Sequence, residues 1–241
     1  MIGTLSLGLL FTVAVAALVL GTYALARRLL GADHAQETRD LAGSILFRVS
    51  SLHGLILALV FSQQMADYHA LRDAMVEEAS ATTDLFYDLD RFGSEAATAL
   101  RPAVLGYARA VAGGEGAAWR AWETVYGGVL DLAADTPRRA ALRAHMLEDV
   151  HRVAEMRDRR ASHGLKGLAP MFWVASLGGV VLVAATYFAF RPTRRHLVLL
   201  GAFGAFTGLI LFLTYALSNP LRAPGALAPT AMARFLDAAG G

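Results

Sequence analysis

A chain of 241 residues, 56% hydrophobic and only 17% charged, with a mean hydropathy of +0.45, has the composition of a membrane protein; soluble domains carry roughly 25% charged residues. The formal charge of +2 and the lack of a basic stripe interleaved with aromatics give no sign of a nucleic-acid partner. With no cysteine, disulfides, thiolate metal sites and cysteine nucleophiles are excluded.

Crossing about 30 Å of hydrocarbon takes roughly 20 helical residues. Residues 1–28 supply the first such window, uncharged up to Arg27 and Arg28. Ala24-Leu25-Ala26 has the look of a signal-peptidase site, but no basic segment precedes the apolar run, and the run exceeds the usual signal core. The window is therefore expected to stay as a span. Residues 43–66 form the second and most polar window, with Ser50, Ser51, His53, Ser62, Gln63 and Gln64.

The water-compatible stretch 67–166 follows and is expected to be an inserted helical domain of three or four helices. Between Gly54 and Gly93 no glycine or proline occurs, so one helix should leave the bilayer near Gln63 to Asp67 and continue into water. Gly93-Ser94 offers a stop and a new N-cap, with Glu95 in the first turn, opening a helix to about Ala112 with Pro102 near its start. Gly113-Gly114-Glu115-Gly116 reads as a loop. Ala117 to Leu132 then carries Trp119, Trp122, Tyr126, Val129 and Leu130 on one face. Thr136-Pro137 starts a further helix, whose stripe Leu142, Met146, Val150, Val153, Met156 runs into Arg157, Arg159 and Arg160. Residues 167–190 and 197–219 are the third and fourth apolar spans, and 220–241 a tail. The expected fold class is all-α: an integral membrane protein with four transmembrane helices and a soluble domain between the second and third.

Charge counting leaves the side of that domain open. Arg27, Arg28, Arg191, Arg194 and Arg195 share one side and vote for the cytoplasm there, whereas Arg152, Arg157, Arg159, Arg160 and Lys166 vote for the domain side. Basic residues are almost all arginine, Lys166 being the one lysine, and alanine is abundant. This is the bias of a GC-rich bacterial genome, so the expected location is a bacterial cytoplasmic (inner) membrane, as a multi-pass protein.

Gly54-Leu55-Ile56-Leu57-Ala58-Leu59-Val60-Phe61-Ser62, then Val76-Glu77-Glu78-Ala79, Leu100-Arg101 and Tyr107 resemble the bacterial bestrophin-like membrane family. Arg159-Arg160 followed by Pro170, Trp173 and Gly178, and Asn219-Pro220-Leu221 leading to Pro229, are similar to its later segments. The likeness covers about residues 43–236 and rests on the order and spacing of short motifs. The chain departs from the family in having Asn219 and Leu221 around the proline, and in splitting a Glu-Trp pair into Glu115 and Trp119. A more distant resemblance, through Phe61-Ser62, Tyr68 and Arg72, is to bestrophin anion channels, whose second span lines a pentameric pore and continues into a cytosolic domain. It implies a homo-oligomer in a lipid bilayer that handles inorganic anions.

Ser50, Gly54, Leu57, Phe61, Gln64 and Tyr68 fall on one helical face. Such a mixture suits a water-filled path constricted at Leu57 and Phe61, or close packing between membrane helices. His53 is an ion-facing candidate or a neutral, hydrogen-bonded core histidine. Glu77 and Glu78 point about 100° apart, so they read as a solvated or salt-bridged surface, with Glu78 singled out by the resemblance alone. His145 and His151, six apart, miss metal-ligand spacing, and no phosphate loop or catalytic triad can be assembled. The sequence thus points to a non-enzymatic protein without cofactor or metal: an oligomeric anion channel with pore-lining Ser50, Gly54, Leu57, Phe61 and Gln64, or a non-conducting scaffold or sensor whose helical domain binds a protein partner through its Trp119 and Trp122 face.

Overall fold

The computed structural model of the chain describes residues 2–31, 35–113, 118–164 and 168–240. Gly114, Glu115, Gly116, Ala117, Lys166 and Gly167, which enter the sequence reading, lie outside the described residues. The described chain is helical, without a strand: α1 (Ile2–Leu30), α2 (Gln36–Phe92), α3 (Glu95–Thr98), α4 (Arg101–Ala112), α5 (Ala118–Leu130), α6 (Pro137–Gly164), α7 (Pro170–Thr186), α8 (Arg194–Leu217) and α9 (Thr230–Ala239). A 3-10 turn, Tyr187–Ala189, extends α7.

The signals that punctuate the sequence act as their chemistry requires. Free of proline and of any positive-φ glycine, α2 runs for 57 residues to Phe92, where Gly93 adopts a φ of +68° and ends it. Ser94 caps α3 by accepting a hydrogen bond from the Ala97 amide, and Thr136 accepts one from the Arg139 amide at the start of α6. Pro102 sits in the first turn of α4, so the single expected helix to Ala112 is divided into α3 and α4. On α5 the buried face is Trp122, Val125 and Val129; Tyr126 and Leu130 are exposed.

The chain divides into two compact units, Met1–Tyr68 with Lys166–Ala226, and His69–Leu165 with Leu227–Gly241. In the first unit α1 packs along α8. A Cβ at Gly204 would lie 2.8 Å from the Ala16 Cα, and one at Gly208 2.6 Å from the Phe11 carbonyl oxygen, so only glycine lets the two backbones approach this closely. Tyr23 and Arg27 of α1 both donate to the Phe190 carbonyl, which closes the end of the α7 segment. Among the described residues four helices, carrying the four apolar windows, are long and apolar enough to cross a membrane: Gly3–Leu30, Gln36–Phe92, Pro170–Ala189 and Arg194–Leu217. Leu5, Phe47, Leu59, Met171, Val174 and Phe206 stand out from them with more than half their surface exposed, a pattern that lipid covers and water does not tolerate.

The second unit has its own core, with Leu85, Leu89, Val104, Trp122, Val129 and Met146 buried together. Burying such a side chain contributes about 1.5–3 kcal/mol each, before chain entropy is subtracted. Helix α9 belongs to this core. Met232 and Phe235 are buried, and Phe235 meets Phe86 edge to face at 5.5 Å between ring centroids. Residues 227–241 are thus grouped in one compact unit with residues 69–165.

Candidate functional site

The chemistry of the first unit centres on the α2 segment within it. Ser50, His53, Gly54, Leu57 and Phe61 border a groove of ≈ 410 Å³ whose other wall is Phe203, Phe206, Thr207, Ile210 and Leu213 of α8. Four of the five residues expected to share a lining face thus meet at one groove. Gln64 does not border it, and neither does Tyr68. Leu57 is buried and Phe61 half-buried, so the α2 wall is apolar at these two positions, while Ser50, His53 and Thr207 supply the polar groups. Part of that polarity is already spent within helices: Ser50 donates to the Leu46 carbonyl and Thr207 to the Phe203 carbonyl.

His53 is the exception. It is buried, yet neither ring nitrogen has a hydrogen-bond partner, so the hydrogen-bonded core histidine expected from sequence is not what forms. Its ring also borders a second groove, lined by Val49, Ile56, Val174, Gly178 and Leu182, and it stands directly over Gly179, where any Cβ would collide with Nδ1. An unpartnered imidazole between two grooves is an unusual investment, because a buried polar group left unbonded costs about 1–3 kcal/mol.

In the second unit Glu78 corrects the reading of the paired glutamates. Glu77 is the expected surface residue, half exposed and 3.8 Å from Arg152. Glu78 is 1% exposed. Its Oε1 accepts from the Tyr107 hydroxyl at 2.5 Å and from Arg160 Nη2 at 3.2 Å, and its Oε2 lies 3.1 Å from Arg160 Nε, off-line for a hydrogen bond. Burial, followed by the adjacent Glu78 charge, pushes the Tyr107 phenol far above its ordinary range, so it stays a neutral donor. Tyr107 in turn packs on Trp122, 4.6 Å between centroids, and the Trp122 indole donates to the Val150 carbonyl. Glu78, Tyr107 and Arg160 come from α2, α4 and α6, and all three lie in motifs that carry the resemblance. They form a charge-compensated brace.

Other motif residues are structural as well. Arg101 pairs with Asp90 and lies over the Phe86 ring at 4.2 Å, Leu100 fills the space that Gly128 leaves, and Trp173 packs with Phe11 and Tyr215. Trp122 is in the core, whereas Trp119 is half-buried and lies under Arg157 at 4.3 Å, so of the pair expected to receive a partner only Trp119 keeps exposed surface.

The sequence pattern of the Bestrophin-like domain matches residues 13–232, about nine-tenths of the chain. No curated protein and no solved structure matches it.

Proposed function

The chain belongs to the bestrophin-like family, and from that premise we propose that this membrane protein is an oligomeric ion channel, passing anions, whose second span lines the conducting path. The observation that carries the reading is the α2 face itself. Ser50, His53, Gly54, Leu57 and Phe61 border an open groove, with apolar side chains at Leu57 and Phe61, the proposed waist, and an unbonded imidazole beside them. A narrow apolar waist excludes water until it widens, which is how hydrophobic constrictions gate. An imidazole with no internal partner is available to a passing ion or its hydration shell. In this reading residues 67–166 form a helical domain in water, between the second and third spans, in a bacterial inner membrane.

The test is anion flux from liposomes containing the purified chain, together with its subunit number in nanodiscs. Leu57→Ala and Phe61→Ala widen the waist and should raise flux several-fold. A chain that is monomeric, or an oligomer without flux in wild type and both variants, would remove the channel reading and leave the scaffold.

A further inference from the structure

A second polar cluster lies in the unit of residues 69–165, away from the Glu78 brace. His145 and Asp149 stand four apart on α6, the spacing that puts two ligands on one helical face, and Asp88 of α2 faces them. His145 Nδ1 is 2.8 Å from Asp88 Oδ2 and 3.5 Å from Asp149 Oδ2, and the three potential ligand atoms all lie within 4.8 Å of one another.

The two carboxylates are not ordinary surface acids. Their side chains are 5% and 2% exposed, whereas His145 is 56% exposed and opens the cluster to solvent. The remaining oxygens face cations: Asp88 Oδ1 accepts from Arg91 at 2.8 Å, and Asp149 Oδ1 is 3.9 Å from Arg152, beyond hydrogen-bonding reach. The inward oxygens are less well served. Asp149 Oδ2 is buried with no hydrogen-bond partner among the described residues; His145 Nδ1, 3.5 Å away, lies closer to Asp88. A buried, undonated carboxylate oxygen aimed at an imidazole nitrogen and a second carboxylate calls for a positive centre among the three. The other acids near it, Asp84 and Glu148, add to that demand.

We propose that Asp88, His145 and Asp149 bind a divalent first-row cation of the zinc class, cross-linking α2 to α6. One imidazole nitrogen and two carboxylate oxygens suit zinc and its neighbours, while calcium takes six to eight oxygens. Ligand atoms of a tetrahedral zinc stand roughly 3.3 Å apart, so the observed separations need changes of up to about 1.5 Å. The solvent-facing side at His145 leaves room for water as the fourth ligand. The site is independent of the ion path and holds whether or not the chain conducts.

The experiment uses the full chain in detergent, stripped with a chelator, then titrated with Zn²⁺ by calorimetry and with Co²⁺ by visible absorption at about pH 7.5, where protons compete weakly. One equivalent of zinc, and cobalt bands of a four-coordinate site, are expected. His145→Ala and Asp149→Asn should each weaken zinc binding by at least about 100-fold. His151→Ala, whose ring packs on Tyr126, should leave it unchanged. Should Asp149→Asn fail to fold, His145→Ala at a half-exposed ring decides alone. Zinc binding weaker than about 0.1 mM, or binding that survives His145→Ala, would overturn the assignment.

Discussion

Tyr107 donates its phenolic hydrogen to Glu78 Oε1 at 2.5 Å, joining α4 to α2 where both side chains are buried. The bond is charge-assisted and sheltered from water, which places it among the stronger hydrogen bonds a protein makes. Tyr107→Phe should cost about 1.5–3 kcal/mol, and Glu78→Ala about 3 kcal/mol, since it also strands the Arg160 guanidinium. Glu77→Ala, on the exposed neighbour, should stay within about 0.5 kcal/mol. Denaturant unfolding of the purified chain measures all three, and equal effects at Glu77 and Glu78 would contradict the brace.

The contact between α1 and α8 depends on glycines whose missing Cβ atoms leave no slack. Gly208→Ala drives a methyl into the Phe11 carbonyl and should destabilise by about 1–3 kcal/mol, despite alanine's better helix propensity. Gly201→Ala is the control, because its Cβ would meet only Leu20 Cδ1 at 3.9 Å. Thermal melts in detergent should separate the two variants, and matching melting points would mean that the helices are not held this closely.

Gly179 creates the space that His53 occupies. Gly179→Ala should displace the imidazole, and on the channel reading it should change anion flux with an effect similar in sign to His53→Leu. Replacing an unbonded buried histidine by a hydrocarbon removes that cost of about 1–3 kcal/mol. On the channel reading His53→Leu should therefore be at least as stable as wild type while altering flux; a large loss of stability would indicate a bonded histidine instead.

Packing of α9 into the second unit makes Phe235 a core residue. Phe235→Ala removes the edge-to-face partner of Phe86 and should cost about 3–5 kcal/mol. Reporters fused at Gly113 and after residue 240 should fall on the same side of the membrane. Opposite sides would be incompatible with the shared core.

Much of the architecture is legible from local chemistry. The run of α2 follows from the lack of any helix breaker up to Gly93, and the start of α6 from Thr136-Pro137, because stops and caps are set by neighbouring residues. The four apolar windows declare themselves through length. What escapes is whatever depends on partners far along the chain. Glu78 looks like surface when weighed only against Glu77, and its burial depends on Arg160, 82 residues away. The Asp88 cluster escapes for a similar reason: pairing histidines with histidines passes over the four-residue step from His145 to Asp149 and the contact 57 residues back. Gly204 and Gly208 carry a readable four-residue spacing, but among so many apolar neighbours it does not announce the α1 contact. Helix α9, ten residues after a stretch rich in proline, offers only Met232 and Phe235 as an apolar face.

The position of α9 also sets an order of events during synthesis. Residues 69–165 leave the ribosome well before residues 230–239, yet their core lacks Met232 and Phe235 until those are made. The unit stays incomplete while α7 and α8 are produced, so its maturation is timed by the completion of the rest of the chain. A chain halted before α9 would carry an open apolar face around Phe86, which marks it for quality control.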